Sequence, residues 1–269
     1  MNEMQSDSKK KTAVITGGSS GIGFAIAKQL AARNYDLLLV SNQQAELIQS
    51  ANEIIATYNV NCKWLCVNLA EEMSAKNLFE FCTGNKLNVE VLVNNAGMLL
   101  VSELTESAPD KISSLLNLHV NTPTLLCRFF GAEMKINNKG YILNVSSISA
   151  AMPYPMISVY GSSKNYLRSF TKSLRSELKI HNIKVCCLIP GALDTPLYND
   201  YPLNRVRLKK LQLMHDADTV SRIAIKALFD NKSECIAGWL NKIVVFSVNN
   251  IVPQILIEWI YKKYRHRLR

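Results

Sequence analysis

Three side chains capable of acid–base chemistry are spaced closely in the second half of the 269-residue chain. Tyr160 and Lys164 form a Y-x-x-x-K pair within a segment of helical period, and this spacing places both side chains on one face of a helix. Ser147 lies thirteen residues before Tyr160, after an apolar run typical of a strand. A phenol has a pKa of about 10, and a nearby ammonium favours its ionised form. The Tyr–Lys pair alone would also fit a solvated helix face, so it is Ser147 that points to proton transfer.

A glycine-rich turn directly follows the first apolar run and opens an amphipathic helix. Gly17 permits a tight exit from the strand, Gly21 lets the backbone approach a pyrophosphate, and Gly23 lets the helix pack closely on the sheet. The N-terminus of the helix offers free N–H groups and a positive dipole end to an anion. An ordinary strand-to-helix turn is the alternative. The placement favours dinucleotide binding by Gly17, Ser19, Ser20, Gly21, Ile22 and Gly23.

Short apolar runs alternate with longer amphipathic segments along most of the chain. Six runs have strand character: Thr12–Ile15, Asp36–Val40, Lys63–Val67, Val89–Val93, Tyr141–Val145 and Lys184–Ile189. Six segments have helical period: Gly21–Arg33, Gln44–Tyr58, Glu71–Gly84, Asp110–Ile136, Val159–His181 and Asp216–Asp230. Runs that are apolar on both faces belong in a parallel sheet covered by helices, and ligands bind at the carboxyl ends of its strands. The sequence predicts α/β architecture with a doubly wound, Rossmann-type parallel sheet in a single domain.

The end of the second strand indicates which dinucleotide is preferred. A carboxylate there would bind the ribose 2′-hydroxyl of NAD and repel the 2′-phosphate of NADP. The positions instead hold Ser41 and Asn42, which are neutral and can donate hydrogen bonds to a phosphate. The sequence therefore favours NADP(H) over NAD(H), although no arginine is present there.

Two further motifs follow strands and complete a family pattern. Asn94-Asn95-Ala96-Gly97 comes after the fourth strand, and Pro190-Gly191-Ala192-Leu193-Asp194-Thr195 after the sixth. Together with the glycine turn and Ser147, Tyr160 and Lys164, they occur in the order and at the spacing of the short-chain dehydrogenase/reductase family, which the chain resembles from Thr12 to Met214. The resemblance implies an NAD(P)-dependent oxidoreductase that transfers a hydride between NADP(H) and a ketone or secondary alcohol.

The resemblance also implies a role for each motif residue. Tyr160 would protonate the substrate oxygen during reduction, Lys164 would favour the phenolate and hold the nicotinamide ribose, and Ser147 would align the carbonyl. The remaining cofactor contacts would come from the strand-end turns: Asn68, Leu69, Asn95, Ala96, Gly97, Pro190, Gly191, Leu193 and Thr195. Residues Tyr198–Met214 would then form a mobile lid over the substrate.

The fourth predicted helix departs from the family pattern. The family usually places an asparagine there that holds a water beside the lysine, and spacing back from Met134 assigns this position to His119, whereas the local N-[LIV] pattern would assign Asn117. We prefer His119. An imidazole could hold the same water or relay a proton itself, because its pKa lies near neutrality. The alternative for His119 is a packed core histidine.

Composition limits the remaining function classes. The net charge of +10 is clustered near Lys9–Lys11, Arg205–Lys210 and Lys262–Arg269, without the aromatic and basic stripe of a nucleic-acid-binding protein. The 7 cysteines are scattered and the histidines unclustered, so the sequence predicts neither disulfides nor a metal site. The polar N-terminus lacks a signal-peptide pattern, which predicts a cytoplasmic protein.

The C-terminal segment differs from the rest of the chain. We assign residues 1–237 to the dinucleotide-binding domain, including the catalytic residues, and residues 238–269 to an apolar and basic extension that is not a separate domain. Charged and polar residues interrupt the extension, so it is no membrane span. It could pack on the domain or a second subunit, or lie on a membrane surface as a peripheral contact.

Substrate and partners follow from weaker signals. The apolar loop Met152–Met156 suits a lipophilic, acyl or steroid-like ketone. The family resemblance implies a homodimer or homotetramer formed through the fourth and fifth predicted helices. The competing hypothesis is a sensor or interaction protein that binds NADP(H) without turnover.

Overall fold

The computed structural model describes residues 10–151, 154–193, 214–250 and 254–264. Within them a seven-stranded sheet runs in the order β3-β2-β1-β4-β5-β6-β9, and each neighbouring pair is parallel. A separate pair, β7 and β8, is also parallel. The strands are β1 Lys11–Thr16, β2 Asp36–Ser41, β3 Cys62–Cys66, β4 Asn88–Asn94, β5 Gly140–Val145, β6 Ile183–Ile189, β7 Ala192–Leu193, β8 Met214–His215 and β9 Glu234–Ile236.

The α-helices of the described residues lie between these strands and after the last of them. They are α1 Gly21–Ala31, α2 Gln44–Thr57, α3 Ser74–Gly84, α4 Pro109–Leu116, α5 Thr122–Ile136, α6 Ser158–Leu178, α7 Ala217–Phe229, α8 Trp239–Asn250 and α9 Gln254–Tyr264. The six predicted helical segments correspond to α1, α2, α3, α4 with α5, α6 and α7, and their bounds agree within three residues.

Helices cover both faces of the sheet, and each layer has its own apolar core. Ile26 of α1 and Ile225 of α7 pack with Ile15 and Leu39 on one face. On the other face, helices α3, α5 and α6 bury Leu78, Phe130, Leu174 and their neighbours against the opposite side chains of the same strands. Burial on both faces explains why the strands are continuous apolar runs. The doubly wound, Rossmann-type sheet in a single domain is confirmed.

The chain reverses direction across the sheet between β1 and β4. It runs outward from β1 through β2 to β3 and then returns to place β4 on the other side of β1. The connections that leave the carboxyl ends of β1 and β4 therefore diverge, and a crevice opens between them. This edge of the sheet is where the sequence placed the functional motifs.

The sheet has seven strands, one more than the six that the sequence predicted. Strand β9 adds beside β6 at the edge, where Leu188 pairs with Cys235. It was missed because it is only three residues long and half-buried, so it has neither a long apolar run nor a clear alternation. Its position is fixed by Arg168 and Lys172 of α6, which form ion pairs with Glu234.

The segment predicted as one helix from Asp110 to Ile136 is a helix with a π turn in its middle. Residues Asn117–Asn121 form this turn between α4 and α5, and the N–H of Thr122 donates to the carbonyl oxygen of Asn117. Pro123 supplies the physical reason, because its ring would clash with the carbonyl of residue 119 in a regular α-helix and has no N–H to donate. The wider turn accommodates the proline, and the chain continues directly into α5.

The C-terminal extension forms helices α8 and α9, which pack on the domain. Val245 of α8 is buried against Ala151, and the hydroxyl of Tyr261 in α9 donates to Glu103 Oε1 at 2.7 Å. Trp239 and Trp259 are exposed. Of the helices that the structure describes, none is long and apolar enough to cross a membrane.

Candidate active site

A cleft of about 470 Å³ opens at the carboxyl edge of the sheet, beside β1 and β4. Its walls come from the carboxyl ends of β1 to β6, from the π turn and from α6, which lie far apart in the sequence. The predicted residues that line it are Gly17, Ser19, Ser20, Gly21, Ile22, Ser41, Asn42, Asn68, Leu69, Asn95, Ala96, Gly97, His119, Ser147, Tyr160, Lys164, Pro190 and Gly191. The structure thus brings nearly all of the predicted site residues together.

The glycine turn is closed so tightly that side chains would not fit. Gly17 and Gly21 adopt positive φ angles of 62° and 55°. A Cβ on Gly17 would come within 2.7 Å of Asn95 Nδ2, and one on Gly23 would overlap the carbonyl oxygen of Gly17. Ser20, the N-cap of α1, makes no side-chain capping bond, so the first N–H groups of this helix are open to an anion. The turn therefore has the shape and polarity that a pyrophosphate requires.

The turn after β4 holds the glycine turn in place. Thr16 Oγ1 accepts from the backbone N–H groups of Asn95 and Ala96, at 2.9 and 3.0 Å. The Nδ2 of Asn95 donates back to the carbonyl oxygens of Thr16 and Gly17. Gly97, next along this turn, must be small because a Cβ there would lie 3.0 Å from His119 Nε2. These bonds fix the distance between the two walls of the cleft.

The end of the cleft at β2 contains a carboxylate that the sequence analysis missed. Ser19 Oγ donates to Glu46 Oε2 at 3.2 Å and lies 3.1 Å from Ser41 Oγ, and Glu46 lines the cleft with Ser41 and Asn42. The end of β2 itself has no acidic residue, and Glu46 lies five residues beyond Ser41, in the first turn of α2. An acidic residue in the first turn of the helix after β2 is the signal that would have found it.

The opposite end of the cleft, which we call the reactive end, contains Ser147, Tyr160 and Lys164. All three are buried, at 7%, 5% and 5% exposure. Ser147 follows β5, and its Oγ accepts from the N–H of Ser149 while keeping its own proton to donate. Lys164 Nζ lies 5.9 Å from the centre of the Tyr160 ring and donates to the carbonyl oxygen of Val145 at 3.1 Å. An acid, a cation and a hydrogen-bond donor thus converge on one space.

Burial lowers the pKa of Lys164. Desolvation lowers the pKa of Lys164 to about 8, and the nearby Cys187 opposes this only in part. The ammonium is still the main form at neutral pH, and its charge is poorly screened in this buried position. It can therefore stabilise negative charge on a neighbouring oxygen strongly.

His119 lies within the site, whereas Asn117 lies outside the cleft. The Nε2 of His119 accepts from the N–H of Met98 at 3.1 Å. The Nδ1 of His119 lies 3.0 Å from Ser163 Oγ, and this hydroxyl donates to the carbonyl oxygen of Tyr160. This pattern requires a neutral ring with the proton on Nδ1. Burial, and next the charge of Lys164, hold the pKa of His119 well below its usual range. Both ring nitrogens are hydrogen-bonded to protein groups. The imidazole therefore has no free nitrogen with which to hold a water or relay a proton.

Gly23 and the alternative position Asn117 do not line the cleft. Gly23 packs inside the turn rather than lining the cleft, and Asn117 bonds to Asn121 at the surface. Leu193 is in β7, while Thr195, Met152, Pro153 and most of the predicted lid lie outside the described residues. Among the residues described, no group of three or more His, Cys, Asp or Glu side chains is arranged to hold a metal ion.

Comparison with known proteins identifies the class. The family model for short chain dehydrogenases matches residues 11–205. The chain therefore belongs to this family, and it is an oxidoreductase that acts on CH–OH or C=O groups with a nicotinamide cofactor.

Particular relatives are similar over most of the chain. The very-long-chain 3-oxoacyl-CoA reductase of Rattus norvegicus is 30% identical over 256 residues, which are 93% of this chain and 77% of the rat protein. A solved 7beta-hydroxysteroid dehydrogenase structure has a TM-score of 0.84 at 20% identity, covering 92% of this chain and 95% of that one. L-sorbose reductase from Gluconobacter frateurii, complexed with NADPH and L-sorbose, has a TM-score of 0.76 at 25% identity, covering 86% and 97%.

Proposed function

We propose that this protein is an NADP(H)-dependent reductase of lipophilic ketones, working also as the dehydrogenase of the corresponding secondary alcohols. The observation that carries the proposal is the convergence of Ser147, Tyr160 and Lys164 at one end of a cleft whose other end is a phosphate-binding turn. When bound, the nicotinamide cofactor supplies the hydride for ketone reduction.

Each side chain has a role that its position supports. The Ser147 hydroxyl donates to the ketone oxygen and aligns it. Tyr160 gives its phenolic proton to the same oxygen, and Lys164 stabilises the phenolate that remains. His119 is a positioning residue in this scheme, because it ties Met98 in the turn after β4 to Ser163 in the helix of Tyr160. In the reverse direction Tyr160 removes the proton of the alcohol.

The preference for NADP(H) rests on Ser41 and Asn42, which carry no charge at the end of β2. The bound NADPH of L-sorbose reductase is consistent with it. Glu46 opposes it, since a carboxylate at this end of the cleft repels a 2′-phosphate. The proposal is therefore a modest preference for NADP(H), with NAD(H) also accepted.

Acyl or steroid-like substrates are supported by the relatives and by the composition of the loop before α6. The relatives include a 3-oxoacyl-CoA reductase and the 17-beta-hydroxysteroid dehydrogenase type 3 of Homo sapiens, which is 33% identical over 187 residues. Tyr154 and Met156 lie on the loop before α6, and Met156 Sδ is 3.8 Å from the Tyr261 hydroxyl of α9, which donates its proton to Glu103.

The test is cofactor binding followed by turnover. NADPH and NADH are titrated separately by their fluorescence, and aliphatic, acyl and steroid ketones are then added to the wild type and to Tyr160→Phe. We expect both proteins to bind NADPH and only the wild type to oxidise it with a ketone. Equal binding with no reduction of any ketone would favour the competing hypothesis, an NADP(H) sensor without turnover. Absence of nucleotide binding would refute both.

We also propose that the cytoplasmic enzyme contacts membranes peripherally through its C-terminal extension. Trp239, Ile243, Ile255 and Trp259 are exposed, and the Lys263 ammonium lies 4.9 Å from the Trp259 ring. Exposed tryptophans beside lysines suit the interface of an anionic bilayer. We expect phosphatidylserine vesicles to float the wild type and not Trp239→Ser/Trp259→Ser. Ile180→Ser, a change at an exposed residue elsewhere, is the control, and equal flotation of all three would contradict the proposal.

A homodimer or homotetramer is the last element of the proposal. Leu125 on α5 and Tyr166 on α6 are exposed on neighbouring helices, where Thr124 Oγ1 bonds to the Tyr166 hydroxyl. This supports an interface through these helices. Light scattering should give two or four subunits for the wild type and fewer for Leu125→Glu, and a monomeric wild type would refute it.

A further inference from the structure

The C-terminal extension contributes a buried amide directly behind the active-site cleft. Asn241, in the first turn of α8, is 1% exposed, and its Nδ2 donates to the carbonyl oxygen of Ala237 at 2.7 Å. Its Oδ1 is buried and makes no hydrogen bond within the described part of the chain. A buried unpaired amide oxygen is costly, so its retention calls for a physical reason.

The amide touches the wall of the reactive end. Gly191 lines the cleft after β6, and a Cβ on it would lie 2.9 Å from Asn241 Oδ1 and closer still to Nδ2. Gly191 has no positive φ angle, so the contact with Asn241, not the backbone conformation, excludes a side chain there. Asn241 therefore fills the space behind Gly191. Without its side chain, Gly191 could move away from the cleft.

The same wall is fixed from the other side by the serine segment. The N–H of Ile148, next to Ser147, donates to the carbonyl oxygen of Pro190 at 3.0 Å. The Pro190–Gly191 turn is thus held between the segment that carries Ser147 and the amide of Asn241. Pro190 and Gly191 line the cleft together with Ser147, Tyr160 and Lys164. A shift of this turn would therefore change the depth of the reactive end.

We propose that Asn241 is a positioning residue, which acts through Gly191 to set the depth of the reactive end. The inference rests on the proposed function and extends it, because it makes α8 of the C-terminal extension a part of the active site. The expected loss is in kcat more than in cofactor affinity, since the glycine turn at the other end of the cleft is untouched. Misplacement of reacting groups by about 1 Å can lower the rate about 100-fold.

A double-mutant cycle tests this coupling. Asn241→Ala leaves a gap behind Gly191, Gly191→Ala forces a Cβ into Asn241, and the double variant lets the new Cβ fill the gap. We expect each single variant to lower kcat about tenfold, and the double variant to recover to within about threefold of the wild type. Dissociation constants and fluorescence spectra of bound NADPH are recorded for all four proteins, and the spectra should follow the same pattern. Asn241→Ser, with a smaller loss of volume, replaces Asn241→Ala if the latter does not fold.

Ser221→Ala is the matched control, since Ser221 is fully buried in α7, donates its hydroxyl proton to the carbonyl oxygen of Asp218 and does not line the cleft. It should lower the thermal midpoint without changing kcat or the NADPH spectrum. The proposal is overturned if Asn241→Ala behaves like this control, or if the losses of the two single variants add in the double variant. If no ketone is reduced by the wild type, the proposed function fails, and the NADPH spectra still decide whether Asn241 acts through Gly191.

Discussion

Replacing Lys164 by methionine should stabilise the folded protein at neutral pH while abolishing activity. Burial lowers the pKa of Lys164 from 10.5 to about 8. At about 1.4 kcal/mol per pKa unit, this corresponds to about 3 kcal/mol that the folded state loses by keeping the ammonium charged. Methionine has a similar length and no charge, so it removes this penalty. It also removes the bond to the carbonyl oxygen of Val145, worth about 2 kcal/mol for a charged donor.

The two effects leave a net gain of about 1 kcal/mol for Lys164→Met at pH 7, and the pH dependence gives the sharper test. Because the folded pKa is lower than the unfolded one, the unfolded wild type binds more protons between pH 8 and 10.5, and wild-type stability rises through this window. Methionine cannot titrate. The variant should therefore lose its advantage above pH 8 and become the less stable protein by about pH 10, a relative change of about 3 kcal/mol.

Urea unfolding of the cofactor-free proteins at several pH values between 7 and 10 measures this change. Taking the difference between wild type and variant removes the contributions of all groups that titrate alike in both. Lys179→Met, at an exposed lysine after α6, is the control and should show no such trend. A stability difference between wild type and Lys164→Met that stays constant over this pH range would refute the reasoning.

Three further predictions concern other ionisable groups. Burial and a 2.7 Å bond to Glu90 raise the pKa of Tyr35, so Tyr35→Phe should lose about 1 to 3 kcal/mol in urea unfolding at pH 8. Because the raised folded pKa gives stability that is lost above about pH 10, this difference should shrink there, and a difference that does not shrink would be contrary evidence. Glu46→Gln should tighten NADPH binding about fivefold, with NADH binding unchanged, and equal effects on both nucleotides would argue against charge repulsion. His119→Asn should leave the acid side of the pH–rate profile unaltered, since burial holds the pKa of His119 well below its usual range; loss of a break near pH 6.5 would instead show that His119 relays protons.

The fold was predictable from the sequence because its strands are apolar on both faces. The runs at Val14 and Leu92 occupy the middle of the sheet, where burial on both sides leaves a clear sequence signal. The glycine turn and the Tyr160–Lys164 pair were predictable for a similar reason, since each depends on short local spacing. Short edge elements such as β9 have no comparable signal, because half-buried residues place few demands on side-chain type.

What the sequence did not reveal depends on contacts between distant segments. Glu46 reaches the cleft through Ser19, 27 residues away in the chain, and Asn241 reaches it through Gly191. The pKa of His119 is likewise lowered by burial and by Lys164, and the sequence shows neither of these contacts. The position of His119 itself was predictable from its spacing to Met134, whereas the choice between His119 and Asn117 needed the helix geometry.

Pro123 has no polar side chain, yet it affects the backbone around the buried imidazole of His119. In a regular helix the carbonyl of His119 would bond to the N–H four residues later, and Pro123 has none to offer. The extra width of the turn changes the angular register between α4 and α5, and it is in this turn that His119 becomes buried. The missing donor of Pro123 thus accounts for the π turn, and this turn carries the buried His119 at the wall of the cleft.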